Sequence, residues 1–295
     1  MVDVVVVSYN SHDMLRGCVE PLLGIDGVQV IVVDNASQDG SLESVADLPL
    51  QSIPSSRNGG FAYGCNIGWR SGRAPYVLLL NPDARLDTCS VSDLGRVLDA
   101  DERIGVAAPR ILEDDGALDY SQRHFPRLAS TYSQALFLHR LFPHATWSDE
   151  ANRIVEDYDR PGSPDWVSGA CMLVRRSVLE RLDGLDEGFF MYGEDKDFCR
   201  RARDLGYDIR FVPQAVCIHA GGQSAPRAGL LPVLAASRVR YARKHGNRAH
   251  AELDRAGICL GEFTHALFGR GGWATRRGHL SAFSRALLHS PPLTT

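Results

Sequence analysis

The chain has 295 residues, 44% of them hydrophobic and 23% charged, with a formal net charge of −4. This is a globular composition, long enough for one large α/β domain or two small ones, and its negative balance argues against nucleic acid as a partner. Seven cysteines without a C-x-x-C spacing speak against a zinc site or a disulfide framework. No apolar run reaches the roughly 18 residues of a membrane span, and Val2 to Val7 is too short, and lacks the basic flank, for a secretory signal. The expectation is a cytoplasmic protein with reduced thiols.

Val2 to Ser8 (VDVVVVS) is a nearly unbroken β-branched run, which predicts a strand buried on both faces as in a parallel sheet. Asn10 and Ser11 offer capping groups for a helix from His12 to about Leu23. Val28 to Val33 is a second buried strand, ending in Asp34-Asn35-Ala36-Ser37; a turn at Asp39-Gly40 and a helix to about Ala46 follow. Leu50 to Pro54 is a third strand. The chain breaks at Asn58-Gly59-Gly60, Phe61 to Ser71 is helical, and Tyr76 to Leu80 is a fourth strand that stops at Asn81-Pro82-Asp83. A helix over Val91 to Ala100 and a strand over Val106 to Pro109 come next. Glu113 to Pro164 is less periodic and reads as a long loop with short hairpins or helices. Trp166 to Val174 is strand-like, Arg176 to Leu182 a short helix, Gly184 to Asp195 irregular and Lys196 to Leu205 a helix. Tyr207 to Val212 and Ala215 to His219 are two short strands, Arg238 to His245 and Ile258 to Phe268 are helical, and Ser290 to Thr295 is expected to be disordered. Strands alternating with helices predict βαβ units, whose ligands bind at the carboxyl ends of the strands.

Three of those ends carry polar clusters: Ser8-Tyr9-Asn10, Asp34-Asn35 and Asn81-Pro82-Asp83. Asp83 can reach a hard divalent cation, which prefers oxygen ligands, yet Asn-Pro-Asp is equally ordinary turn chemistry. Glu194 and Asp195 stand at a helix start, where the dipole stabilises an anion; that suits a general base and also plain helix capping. His219 ends a strand and is either a metal ligand or a structural imidazole. Arg57-Asn58-Gly59-Gly60 precedes a helix and either meets a phosphate or is a simple loop. The sequence contains no G-x-G-x-x-G, P-loop, G-x-S-x-G or H-E-x-x-H pattern.

Taken together and in order, Val4-Val5-Val6-Val7-Ser8-Tyr9-Asn10, Val32-Val33-Asp34-Asn35-Ala36-Ser37-Gln38-Asp39-Gly40, Asn58-Gly59-Gly60-Phe61-Ala62-Tyr63-Gly64-Cys65-Asn66, Leu79-Leu80-Asn81-Pro82-Asp83, Gly169-Ala170-Cys171-Met172-Leu173-Val174-Arg175-Arg176 and Phe189-Phe190-Met191-Tyr192-Gly193-Glu194-Asp195-Lys196-Asp197 strongly resemble family 2 glycosyltransferases, most of all their rhamnosyltransferase-like branch. The match covers about residues 1 to 225. The resemblance implies an α/β GT-A fold: a Rossmann-like nucleotide-binding half with a mixed central sheet, fused to an acceptor-binding half and followed by a helical tail. The implied divisions are 1–110, 111–225 and 226–295. It implies inversion by one direct displacement, with Asp195 of the Glu194-Asp195 pair as base. Ser8, Tyr9, Asn10, Asp34 and Asn35 are implied around the nucleoside, with Asp34 accepting from the pyrimidine. Arg57, Asn58, Gly59 and Asn66 are implied near the base, ribose or diphosphate, and Trp166 and Gly169 where donor and acceptor sugars meet. Asp83 takes the place of the last acid of the family's D-x-D motif, but Asn81 replaces the first, so a Mg²⁺ or Mn²⁺ site made of Asp83 and His219 is sparse.

The donor implied is a dTDP-deoxysugar such as rhamnose, with a UDP-hexose as the alternative, and the acceptor a glycan, a lipid-linked glycan or a natural product. Two further readings stay open: a nucleotide-sugar binder without transfer activity, and a nucleotidyltransferase, which would release pyrophosphate. From Ala225 onward there are 11 Lys+Arg against 3 Asp+Glu. Arg238 to Arg248 and Arg270 to Arg285 therefore either dock peripherally on an anionic membrane or form a solvated helical face. A homo-oligomer is compatible with the composition.

Overall fold

The structure is a computed structural model that describes residues 1–221 and 227–288; the expected disorder of Ser290 to Thr295 lies outside them. Its centre is an eight-stranded sheet in the order β3-β2-β1-β4-β9-β6-β10-β5. The strands are β1 (Val2–Ser8), β2 (Val28–Asp34), β3 (Gln51–Pro54), β4 (Tyr76–Leu80), β5 (Ala84–Leu86), β6 (Ile104–Leu112), β9 (Cys171–Arg175) and β10 (Asp208–His219). β7 (Gln122–Arg123) and β8 (Trp166–Val167) make a small antiparallel pair. β1 to β4 are mutually parallel, β9 runs against both β4 and β6, and β5 runs against β10, so the sheet is mixed.

The valine run explains the layering. Successive side chains of a strand face opposite sides of the sheet. Val4 and Val6 pack with Leu15, Cys18 and Leu22, and with Leu94 and Leu98 of α3 (Thr88–Ala100). Val5 and Val7 pack on the other face with Ala62, Cys65 and Trp69 of α2 (Phe61–Ser71). α2 lies unusually close to β1: a Cβ on Gly64 would come within 2.5 Å of Val7 Cγ1, and one on Gly68 within 2.3 Å of Val5 Cγ1. At the amino end of the sheet, Asp3 accepts from Arg176 at 2.6 Å and from Ala74 N–H at 2.8 Å, tying β1 to the start of α5 (Arg176–Leu182).

At the carboxyl end the topology gathers the polar residues. Ser8 is the register partner of Asp34. Because β9 is reversed, its first residue, Cys171, pairs with the last residue of β4, Leu80. Residues 168–170 therefore enter at the same edge, and Asn81 N–H donates to Ala170 O at 2.9 Å. His219, at the end of β10, pairs with Ala84.

Several elements differ from the sequence expectation. α1 is His12–Val19, followed by a 3-10 turn at Glu20–Leu22, since Pro21 has no N–H to continue the helix. After Asp39 there is only a 3-10 turn, Glu43–Val45, because Asp39 and Ser41 bind backbone amides of the loop and of α1. The 166–174 run is split between β8 and β9 with residues 168–170 between them, and the two strands expected over 207–219 are one, β10, with a register shift between Val212 and Val216 around Pro213. α4 (Leu128–Ala135) is one of the short helices expected between Glu113 and Pro164, whereas β5 was not foreseen. α6 (Glu194–Asp204) begins two residues earlier than expected. The C-terminal helices are longer than predicted: α7 (Arg227–His245), α8 (Arg248–Phe268) and α9 (Trp273–Leu288) pack around Ala235, Val239, Ile258, Cys259, Ala282 and Ala286.

Gly68→Ala tests the tight approach of α2. Alanine gains up to about 1 kcal/mol of helix propensity, whereas overpacking costs about 1–3 kcal/mol, so the clash with Val5 should win. The urea midpoint should fall; an unchanged or higher midpoint would mean the helix can lift off β1 freely.

Candidate active site

The ends of β1 and β2 hold two buried polar atoms without partners, Ser8 Oγ and Asp34 Oδ1. The other carboxylate oxygen of Asp34 accepts from Ser37 N–H at 3.0 Å. An unsatisfied buried acceptor beside an unsatisfied hydroxyl is costly unless a ligand completes both. Tyr9, next in the chain, is 40% exposed. Asn10 and Ala36 both take positive φ, 52° and 65°, a strained backbone of the kind that collects at functional sites. Asn10 is committed to shaping the rim: its N–H donates to Ser37 Oγ and its Oδ1 accepts from Gln38 N–H.

Asn35 and Asn66, both expected to meet the donor, clasp neighbouring segments of the chain. Buried Asn35 donates to Gly60 O at 2.9 Å and accepts from Gly59 N–H, which ties β2 to the glycine loop. Asn66 donates to Leu185 O and Glu187 Oε1 and accepts from Leu185 N–H and Trp69 Nε1; no hydrogen-bonding position of that amide is left for a ligand. In the loop between them, Asn58 Oδ1 accepts from Gly60 N–H, and a Cβ on Gly59 would strike the Tyr63 ring at 2.2 Å. Gly60 (φ +89°) lies against Phe190 O, which a Cβ would meet at 2.0 Å. Arg57 is exposed and lies over the Tyr63 ring.

Past β4, Asp83 and His219 come together: His219 Nε2 is 3.2 Å from Asp83 Oδ1, and 3.2 Å from Asn81 Nδ2. The Asp83 side chain is 4% exposed. Burial draws the His219 pKa down, but the hydrogen bond and charge of Asp83 outweigh this and leave it raised. Among the described residues no group of three or more His, Cys, Asp and Glu side chains is arranged to hold a metal ion. One carboxylate and one imidazole do suit a hard cation whose other ligands are phosphate oxygens and water.

The third component is the start of α6. Asp195 is half-buried; its Oδ2 accepts from Gly169 N–H at 3.0 Å and its Oδ1 from Lys196 N–H at 2.7 Å. Gly169 fits closely here, since a Cβ on it would lie 3.2 Å from Asp195 Cβ. Glu194 faces the interior: Oε2 is buried without a partner, and burial first, then the Asp195 carboxylate, push its pKa up to about 8. The two neighbouring acids therefore occupy opposite environments. Trp166, implied where donor and acceptor sugars meet, is 8% exposed. It is a core residue whose indole N–H donates to His124 O, with Lys196 and Arg123 over its ring.

A supporting set escaped the sequence reading. Asp197, fully buried, receives Arg201 at 2.8 Å, Lys244 at 2.7 Å and His245 at 2.8 Å. Burial opposes its charge, but the hydrogen bonds of His245 and Lys244 and the charge of Arg201 hold it down to about 2. Asp186 binds Arg240 and Lys244, Ser237 Oγ donates to Met191 O, and buried Lys196 pairs with Glu150 at 3.1 Å. The i,i+4 spacing of Asp197 and Arg201 was a visible signal; the partners on α7 were not. Most of the basic stretch from Arg238 to Arg248 thus neutralises the chain's own carboxylates.

The sequence model of glycosyl transferase family 2 matches residues 3–183. An N-acetylglucosaminyl-diphospho-decaprenol L-rhamnosyltransferase of Mycobacterium tuberculosis is 30% identical over 214 residues, 68% of this chain and 69% of that protein. Rhamnosyltransferase WbbL of Escherichia coli is 26% identical, over 74% of this chain and 83% of its own. Among solved structures, a mannosyltransferase of Pyrobaculum calidifontis, in complex with GDP-Man and Mn²⁺, superposes with a TM-score of 0.60 at 18% identity, covering 97% of this chain and 86% of that one. This likeness establishes the GT-A fold.

The raised pKa of Glu194 fixes the sign of a pH effect. The folded state holds this proton more tightly than the unfolded one, whose value is near 4.5. The benefit of the neutral form is complete below that value and is lost as pH rises through about 8, by at most about 1.4 kcal/mol per pH unit. Glu194→Gln should remove the loss, so thermal scans should show the variant gaining on the wild type between those two values. A pH-independent difference would disprove the assignment.

Proposed function

This chain is a member of glycosyl transferase family 2, and we propose that it transfers rhamnose or another deoxyhexose from a dTDP donor, with inversion, to a hydroxyl of a lipid-linked glycan. The observation that carries the site reading is the Asp195 carboxylate fixed by Gly169 N–H at the carboxyl edge of the sheet. The orphan Ser8 and Asp34 atoms, on adjacent strands of that edge, suit a pyrimidine's N–H and carbonyl groups. The rhamnosyl donor rests on the two rhamnosyltransferase relatives. The lipid-linked acceptor rests on the mycobacterial one, whose name specifies a diphospho-decaprenol substrate.

In this reading Asp195 takes the proton of the acceptor hydroxyl, whose oxygen forms the new bond to the anomeric carbon as the bond to the diphosphate oxygen breaks. Half-burial and two backbone N–H donors hold the carboxylate in one orientation. Glu194, held toward its neutral form, adds no second negative charge beside it. Asp83 and His219 would hold Mg²⁺ or Mn²⁺ together with the diphosphate, where a divalent cation neutralises charge on the leaving group. Glycine at 169 lets the acceptor come close to the base without a side chain between them.

Asp195→Asn should lower turnover by about a thousandfold or more, the order expected for loss of a general base, with the nucleotide sugar still raising the melting temperature. Turnover near the wild-type rate would sink the assignment. Asp83→Ala should weaken donor binding in Mg²⁺ or Mn²⁺ and abolish the response to a chelator; unchanged affinity in both conditions would remove Asp83 from the metal site. The product should be a free nucleoside diphosphate, whereas pyrophosphate would replace this reading with nucleotidyl transfer.

A further inference from the structure

α8 and α9 form an antiparallel hairpin, with Glu262 paired to His279 and Arg255 reaching Leu287 O. Its tip exposes Phe268 (71%) and Trp273 (73%), with Leu267 beside them. Arg270, Arg276 and Arg277, on the same tip, are also exposed. A second segment, after α4, exposes Leu141 (72%), Phe142 and Trp147, the last two with rings 5.6 Å apart. The segments adjoin: Thr264 Oγ1 donates to Ala135 O at 2.7 Å, Phe137 stacks on His265 with centroids 4.5 Å apart, and Arg140 lies over Phe137.

Composition sharpens the picture. There is no Asp or Glu from Leu128 to Trp147, and none from Phe263 to Leu288, in a chain with 36 of them. Large apolar side chains held in water at a hairpin tip are unfavourable at about 25 cal/mol per Å², and clusters of them mark interaction surfaces. Tryptophan and phenylalanine at the apex with arginines beside them match the headgroup layer of a bilayer, where aromatic rings sit at the boundary and guanidinium groups meet lipid phosphate. Among the described residues no helix is long and apolar enough to cross a membrane, so the contact is peripheral.

We infer that the α8–α9 tip, together with the Leu141, Phe142 and Trp147 segment, docks this enzyme on an anionic lipid bilayer. The inference rests on the proposed lipid-linked acceptor for its purpose, and it narrows the contact expected of Arg238 to Arg248 and Arg270 to Arg285 to the tip around Arg270, Arg276 and Arg277.

The test is co-sedimentation of the full chain with phosphatidylcholine vesicles with and without phosphatidylglycerol, at low and high salt. The wild type should bind the phosphatidylglycerol vesicles, less so in high salt. Reversing Arg270, Arg276 and Arg277 to Glu should cut partitioning by about a hundredfold, taking about fivefold for each arginine near an anionic surface. Phe268→Ser with Trp273→Ser should abolish the binding that survives high salt. Wild-type protein that ignores these vesicles, or variants that partition as the wild type does, would overturn the inference. So would a concentration-dependent dimer in light scattering that the serine variant abolishes, since the face would then belong to a second copy. Stabilisation by a nucleotide sugar, measured on each variant, keeps the two readings apart: lost vesicle binding with intact donor binding concerns the docking surface alone.

Discussion

The hydrogen bond from Gly169 N–H to Asp195 is the contact on which the site depends. It joins two segments that the chain order keeps apart, and it exists because β9 enters the sheet against the direction of its neighbours. A parallel strand in that position would deliver its amino end to the opposite edge, next to Asp3 and Arg176. The reversed strand instead begins beside Asn81 and brings Gly169 under the first turn of α6. A side chain at 169 would lie at the contact limit of Asp195 Cβ, so Asp195 and the backbone that holds it are mutually fitted.

Helix α6 is held in turn by the C-terminal helices. A fully buried carboxylate is strongly destabilising without compensating charge, and Asp197 receives two of its three cationic partners, Lys244 and His245, from α7. Asp186 draws Arg240 and Lys244 onto the segment leading into α6, and a Cβ on Gly188 would collide with the Arg240 guanidinium at 1.8 Å. Removing α7 would therefore strip Asp197, two residues from Asp195, of two of its three cationic partners. The tail belongs to the scaffold of the site: α7 lies against the core, while the α8–α9 tip exposes Phe268 and Trp273.

The legible part of this architecture was the part carried by local pattern. The VDVVVVS run, the glycine break before α2 and the polar ends of β1, β2 and β4 foretold the parallel half and its crevice, because burial on both faces and turn chemistry leave marks within a few residues. The split of 166–174, the register shift around Pro213 and the position of β5 at the edge are set by pairing across long separations, which no local window records. The same divide runs through the site. The candidates Asp195, Asp83 and His219 stand at element ends, where local pattern marks them. The long-range hydrogen bonds of Asn35, Asn66 and Trp166 reach partners 24 to 121 residues away.

Asn81 illustrates how one uncharged residue alters the balance of such a site. With a carboxylate at 81, two anions would face His219, and a cation would be held before any donor arrived. With the amide, Asn81 Nδ2 and Asp83 Oδ1 both lie 3.2 Å from the same imidazole nitrogen, and the protein contributes a single negative charge. That is too little to hold a hard divalent cation dehydrated on its own, since such ions take most of their ligands from oxygen anions. The diphosphate would then supply the missing charge, so that metal and donor bind as one unit and each strengthens the other's affinity by the same factor. In this arrangement a donor-free enzyme would lose its cation readily, and the Asp83–His219 pair would keep both side chains satisfied until the next donor entered.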